Sequence, residues 1–97
     1  MEKKTNKYHL TLEHLGNSDA EKTAENYLEL DFENHDELFG IIEKLKQKDP
    51  FTSEQQSIEF AIGLKMFSEI MVKNRKHPLF EELYPAFGTF MKRLKNM

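Results

Sequence analysis

Two short stretches of this chain alternate apolar and polar side chains, and the rest repeats apolar residues at helical spacing. Tyr8, Leu10 and Leu12 alternate with Lys7, His9, Thr11 and Glu13, the period-two pattern of a strand with one buried face, over about residues 7–14. Leu28, Leu30 and Phe32 alternate with Tyr27, Glu29, Asp31 and Glu33 in the same way, giving a second strand over about residues 26–33. An antiparallel register with Leu10 opposite Leu30 superimposes the two apolar faces. It also sets Lys7 against Glu33 and His9 against Asp31 on the other face. The connection between the strands is polar and contains Gly16-Asn17-Ser18-Asp19. It is too long for a tight hairpin loop and suits either a mobile segment or a short helical turn.

After residue 34 the period changes. Asn34 stands three positions before Glu37, ahead of Leu38, Ile41, Ile42 and Leu45, which predicts a helix over about 35–48 capped by Asn34. Asp49-Pro50 stops it, because the residue before proline is disfavoured in helical geometry. Thr52 or Ser53, with Gln55 or Gln56 three residues on, caps a second helix over about 53–74. Its apolar residues cover more than one stripe, so it is expected to be central, meeting the sheet on one side and helices on another. Pro78 opens a last helical segment over about 78–95, broken near Tyr84-Pro85 and carrying Phe87, Phe90, Met91 and Leu94. Gly40, Gly63 and Gly88 fall inside helices, where each costs about 1 kcal/mol relative to alanine; close helix crossings are the expected compensation. The expected fold is α+β, an antiparallel β-hairpin followed by three helices (β-β-α-α-α), with the hairpin packed on the long helix and residues 1–97 as one domain. A two-stranded ribbon has two unpaired edges. Either a second copy joins one of them to make a four-stranded sheet, or helices or the N-terminal arm cover them.

Composition narrows the function classes. With 38% hydrophobic residues and eight Phe, the chain is rich enough in large apolar groups for a core. It has no cysteine, which removes disulfides, thiolate metal sites and a cysteine nucleophile. No signal-peptide pattern opens the sequence, and no apolar run approaches the about 18 residues of a membrane span; a cytoplasmic protein without a membrane partner is expected. The net charge of -3 is unevenly spread: residues 13–37 hold nine acids against Lys22, and residues 65–97 hold seven Lys or Arg against three Glu. Such polarity suits self-association or a charged partner, or cancels within the fold.

Candidate chemistry is sparse. The histidines make no chelating motif, since His9 and Glu13 are about 13 Å apart along a strand, and only a composite pair such as His9 with Asp31 is open to a metal. Asp36-Glu37 and Glu81-Glu82 lie at helix starts, where acids stabilise the dipole. No serine sits in a nucleophile elbow, and no glycine cluster forms a phosphate loop. No catalytic residue, cofactor or metal is therefore assigned. The strongest feature is Lys73-Asn74-Arg75-Lys76-His77-Pro78-Leu79-Phe80, in which basic residues gather at the negative end of a helix and proline enforces the stop. Helix C-termini repel anions, and the acidic whole chain counts against general nucleic-acid binding, although Lys92, Arg93 and Lys95 would reinforce the cluster if the last helix returned alongside it.

That basic run, with Gly63-Leu64-Lys65-Met66-Phe67 and Phe32-Glu33-Asn34-His35-Asp36-Glu37-Leu38-Phe39 before it, resembles a family of short bacterial proteins catalogued as a domain of unknown function, over about residues 8–94. The resemblance implies a bacterial, single-domain, cytoplasmic protein and supplies no activity. The sequence reading is a non-enzymatic protein-interaction module, with Lys73, Arg75, Lys76, His77 and Phe80 as an exposed patch and with homodimerisation through a strand edge as one of the two ways of covering that edge. A nucleic-acid or anion binder is the alternative, and an enzyme whose site only the fold could reveal comes third.

Overall fold

A computed structural model describes residues 5–16 and 26–97, and the chain divides into two compact units, Met1–His35 and Asp36–Met97. The expectations for the connection at 17–25 and for an arm at 1–4 lie outside the described residues.

The first unit holds β1 (Asn6–Glu13) and β2 (Tyr27–Asn34), paired antiparallel. The expected register is the one observed: Leu10 faces Leu30, Lys7 faces Glu33 and His9 faces Asp31. On the apolar face the rings of Tyr8 and Phe32 stack with centroids 5.4 Å apart. The next amide beyond the strands, His14 N–H, donates to Asn26 O at 3.0 Å. This bond fixes the ladder's phase: residues 6, 8, 10 and 12 of β1 exchange hydrogen bonds with β2, while residues 7, 9, 11 and 13 turn their N–H and C=O outward.

The second unit is helical. α1 (Leu38–Lys48) begins three residues later than the capping pattern predicts. Asn34 is the last residue of β2 rather than a cap, and Glu37 takes that role, its carboxylate accepting from Phe39 N–H at 2.7 Å and Gly40 N–H at 3.2 Å. The β ladder thus runs on through the residue that resembled a cap. α1 stops at Asp49, whose left-handed backbone (φ 46°, ψ 53°) lets its N–H reach Leu45 O at 2.9 Å.

Ser53 then caps α2 (Glu54–Lys73) by accepting from Gln56 N–H at 3.2 Å. α1 and α2 run antiparallel: Lys46 pairs with Glu54 at 3.0 Å near one end, and Lys65 with Asp36 at 3.0 Å towards the other. Leu38, Leu45, Ala61 and Met71 are buried, and burying a large apolar side chain stabilises by about 1.5–3 kcal/mol.

A 3-10 turn (Pro78–Phe80) leads to α3 (Leu83–Lys95). The break falls at residues 81–82, and Pro85 sits in the first turn of α3, where its missing N–H leaves no bond unmade. α3 meets α2 through rings, Phe67 with Phe80 and Phe87 near one end and Phe60 with Phe90 near the other. At its far end Lys48 of α1 donates to Met97 O at 2.8 Å. Within this unit α2 is the central element. The close crossings expected at the glycines are not found: a Cβ on Gly63 or Gly88 would meet nothing within 4 Å, and one on Gly40 would meet only the Glu37 carboxylate at 3.7 Å. Long phenylalanine side chains bridge α2 to α3, so glycine is not required for their approach.

Candidate interaction site

The basic turn is built by the way α2 ends. Asn74 N–H reaches Ile70 O and Met71 O, at 3.1 and 3.2 Å, and its side chain also donates to Ile70 O at 2.8 Å. These bonds satisfy carbonyls the helix leaves unpaired. His77 N–H then donates to Asn74 O at 2.8 Å, closing the turn, and Pro78 sets the start of the 3-10 segment. The His77 ring caps that segment, with Nδ1 accepting from Leu79 N–H at 3.1 Å.

Lys73, Asn74, Arg75, Lys76 and His77 are all exposed and surround an open hollow of about 390 Å³. The Arg75 guanidinium lies 5.8 Å from the centre of the Tyr84 ring, a cation–π contact that restricts where the charge points. Tyr84 was not singled out by sequence reasoning. Only the position of α3 beside the turn reveals it.

Phe80 corrects the expected patch. It is 8% exposed, with the rings of Phe67 and His77 against it. The aromatic that ends the motif anchors the turn from below, and the aromatic beside the cations is the half-buried Tyr84 at the edge. The expected reinforcement by the last helix also fails. α3 does return along α2, but antiparallel to it, so Lys92, Arg93 and Lys95 are carried to the end where Lys48 meets Lys95 O. From the level of Phe60 to Lys73 is about 20 Å of helix, and the two basic groups stay apart.

The hairpin has a different polar face. His9 places Nδ1 2.5 Å from Asp31 and Nε2 2.9 Å from Glu29. The hydrogen bond to Asp31 foremost, then that to Glu29, raises its pKa above the ordinary histidine value. When the imidazole is protonated, both ring nitrogens donate and it clamps the two strands together. Among the described residues no three His, Cys, Asp or Glu side chains are grouped to hold a metal ion. Nor, among these residues, is any helix long and apolar enough to cross a membrane.

Two comparisons place the chain among known proteins. The model of a family described as a domain of unknown function with a solved structure, DUF3861, matches residues 6–96. A crystal structure of a protein of unknown function from Pectobacterium atrosepticum SCRI1043 is similar over 97% of this chain and 100% of its own length, at 35% identity and a TM-score of 0.83. No curated protein matches significantly. The span from β1 to the end of α3 is thus a shared fold, and the chain belongs to the DUF3861 family.

Proposed function

We propose that this protein is a non-enzymatic interaction module of the bacterial cytoplasm that presents the basic turn at residues 73–77 to an acidic protein surface and associates with a second copy of itself through the hairpin. The observation that carries the first contact is the grouping of exposed Lys73, Arg75, Lys76 and His77 around one hollow, with Arg75 held over Tyr84 and Phe80 anchored beneath. A turn positioned by its own backbone bonds holds its charges without large ordering costs on binding. The end of a helix carries partial negative charge, which suits a diffuse acidic face better than a single phosphate. Separation of Lys92, Arg93 and Lys95 from the turn removes the continuous basic track a nucleic-acid backbone would need.

Capture from bacterial lysate, with bound proteins and nucleic acid both identified, compares the natural chain with an Arg75→Glu/Lys76→Glu variant. An acid-rich protein retained by the first and lost by the second, at unchanged melting temperature, is the expected result. Equal retention by both overturns the role of the turn. Recovery of nucleic acid with steep salt dependence supports the alternative instead.

A further inference from the structure

The two edges of the hairpin differ in whether they can pair with themselves. Along β2 the outward-turned residues include Glu29, Asp31 and Glu33. Any antiparallel pairing of β2 with a second β2 sets these carboxylates against one another, and like charges directly opposite destabilise a sheet. Along β1 the outward residues are Lys7, His9, Thr11 and Glu13, and among the described residues no strand lies beyond them. We infer that β1 is the dimer edge, pairing antiparallel with β1 of a second copy about a two-fold axis at Leu10.

That register sets Lys7 opposite the partner's Glu13, His9 opposite the partner's Thr11, Tyr8 opposite the partner's Leu12, and Leu10 opposite its own equivalent. It satisfies the ladder's phase, because the hydrogen-bonded pairs fall on the odd residues, whose N–H and C=O point outward, and Leu10 occupies a non-hydrogen-bonded position. The polar face then reads Glu33, Lys7, the partner's Glu13 across the sheet, an alternation of charge. The apolar face gains continuous rows: Leu30, Leu10 and their two equivalents in one, and Phe32, Tyr8, the partner's Leu12 and the partner's Leu28 in another. Leu12 and Leu28 are 63% and 53% exposed in the single chain, and this register gives Leu12 an aromatic neighbour.

Neighbouring registers are worse. Moving the axis to His9 opposes the two His9 rings and sets Lys7 opposite Thr11 in place of Glu13, and moving it to Thr11 sets Lys7 opposite Leu15. The result is one four-stranded sheet, ordered β2-β1-β1-β2. The inference rests on the self-association reading above and does not involve the basic turn.

Light scattering and sedimentation of the full chain test it. The natural protein is expected to approach twice the 11.5 kDa chain mass as concentration rises. Lys7→Glu and Glu13→Lys should each raise the dissociation constant about tenfold or more, since each puts like charges opposite at two symmetric places. The double swap should bind more tightly than Lys7→Glu alone, short of full recovery because position 7 also faces Glu33 in its own hairpin. Residues 7 and 13 are about 20 Å apart along one strand, so mutual rescue can arise only between chains. A mass that stays monomeric overturns the dimer. A dimer indifferent to the single variants, or not rescued by the double, overturns this edge while leaving the capture result at Arg75 and Lys76 to stand or fall by itself.

Should a charge variant lose its circular dichroism signature, cysteine substitution gives an independent reading, because the natural chain contains no cysteine. Leu10→Cys should form disulfide-linked dimers on mild oxidation and Leu12→Cys should not. The reverse pattern, or equal crosslinking, contradicts the register.

Discussion

The helical unit and the hairpin solve the burial problem unequally. Among the described residues, the buried apolar side chains Leu38, Leu45, Ala61, Met71 and Phe80 all belong to the helical unit, whereas the hairpin leaves Leu12, Tyr27, Leu28 and Leu30 exposed. A helix pair with a third helix docked by phenylalanines encloses a small core, and it too leaves Phe39, Phe67, Ile70 and Leu79 exposed. Two strands have one apolar face and two open edges, and an isolated ribbon is marginal in water. The difference separates scaffold from surface. The helical unit carries the buried core beside the basic turn, and the proposed dimer would give the hairpin's open edge a second strand to pair with.

The sharpest way to break that comparison is to cut the same kind of side chain from each unit. Leu45→Ala should cost about 2–5 kcal/mol, the usual range for a buried leucine, while Leu12→Ala should cost under about 1 kcal/mol in a dilute single chain because its side chain is already wet. Chemical denaturation of both variants checks this, and equal losses would erase the distinction. A gain comes next. Ser57 is fully buried on α2, and its hydroxyl has no hydrogen-bond partner. Ser57→Ala should therefore stabilise by about 1 kcal/mol, since an unsatisfied buried hydroxyl carries a desolvation penalty that alanine lacks.

Gly63→Ala and Gly88→Ala should each add up to about 1 kcal/mol, as helix interiors with open space at the Cβ position gain from alanine; loss of stability would mean that something closes on those helices. Removing the turn's charges is expected to matter less. Arg75→Ala/Lys76→Ala should change stability by about 1 kcal/mol or less, the size of an exposed cation–π contact and surface charges.

The smallest effect is confined to the hairpin and to pH. His9 has a folded pKa raised by Asp31 and Glu29, with Lys7, Thr11 and Glu33 also on that face. Its stabilising contribution is therefore full below about pH 6.5, the unfolded value, and is lost as pH rises through the higher folded value. Melting of β-sheet signal against pH should show this fall in the natural chain, and His9→Gln should flatten it. A rise in stability over the same window would reverse the sign and refute the clamp.

The hairpin was the most legible part of the sequence because two constraints, apolar alternation and the match of Lys7 to Glu33 and His9 to Asp31, selected one register. Helix ends were legible where a single residue type decided them, as at Asp49-Pro50, and were narrowed to two neighbours at Thr52 and Ser53, of which Ser53 is the cap. They were misread where two roles competed for one residue: Asn34 has the chemistry of a cap, yet the β ladder holds it, and the longer Glu37 reaches the helix amides instead. The patch was legible as a charge run but not as a surface. One-dimensional spacing does not reveal that Phe80 turns inward, that Tyr84 of the next helix comes under Arg75, or that α3 runs the wrong way to bring Lys92 and Arg93 to the turn. These depend on helix direction, which is set by rings meeting across α2 and α3.

Amide hydrogen exchange at β1 tests the central claim most directly, since the outward N–H groups of Lys7, His9 and Thr11 have no partner strand among the described residues and do have one in the four-stranded sheet. Measured across a hundredfold dilution series, those amides should be protected at high concentration and lose protection on dilution, while the buried core amides of α2 remain unchanged. Rapid exchange of the three amides at every concentration, or protection indifferent to dilution, would contradict the account.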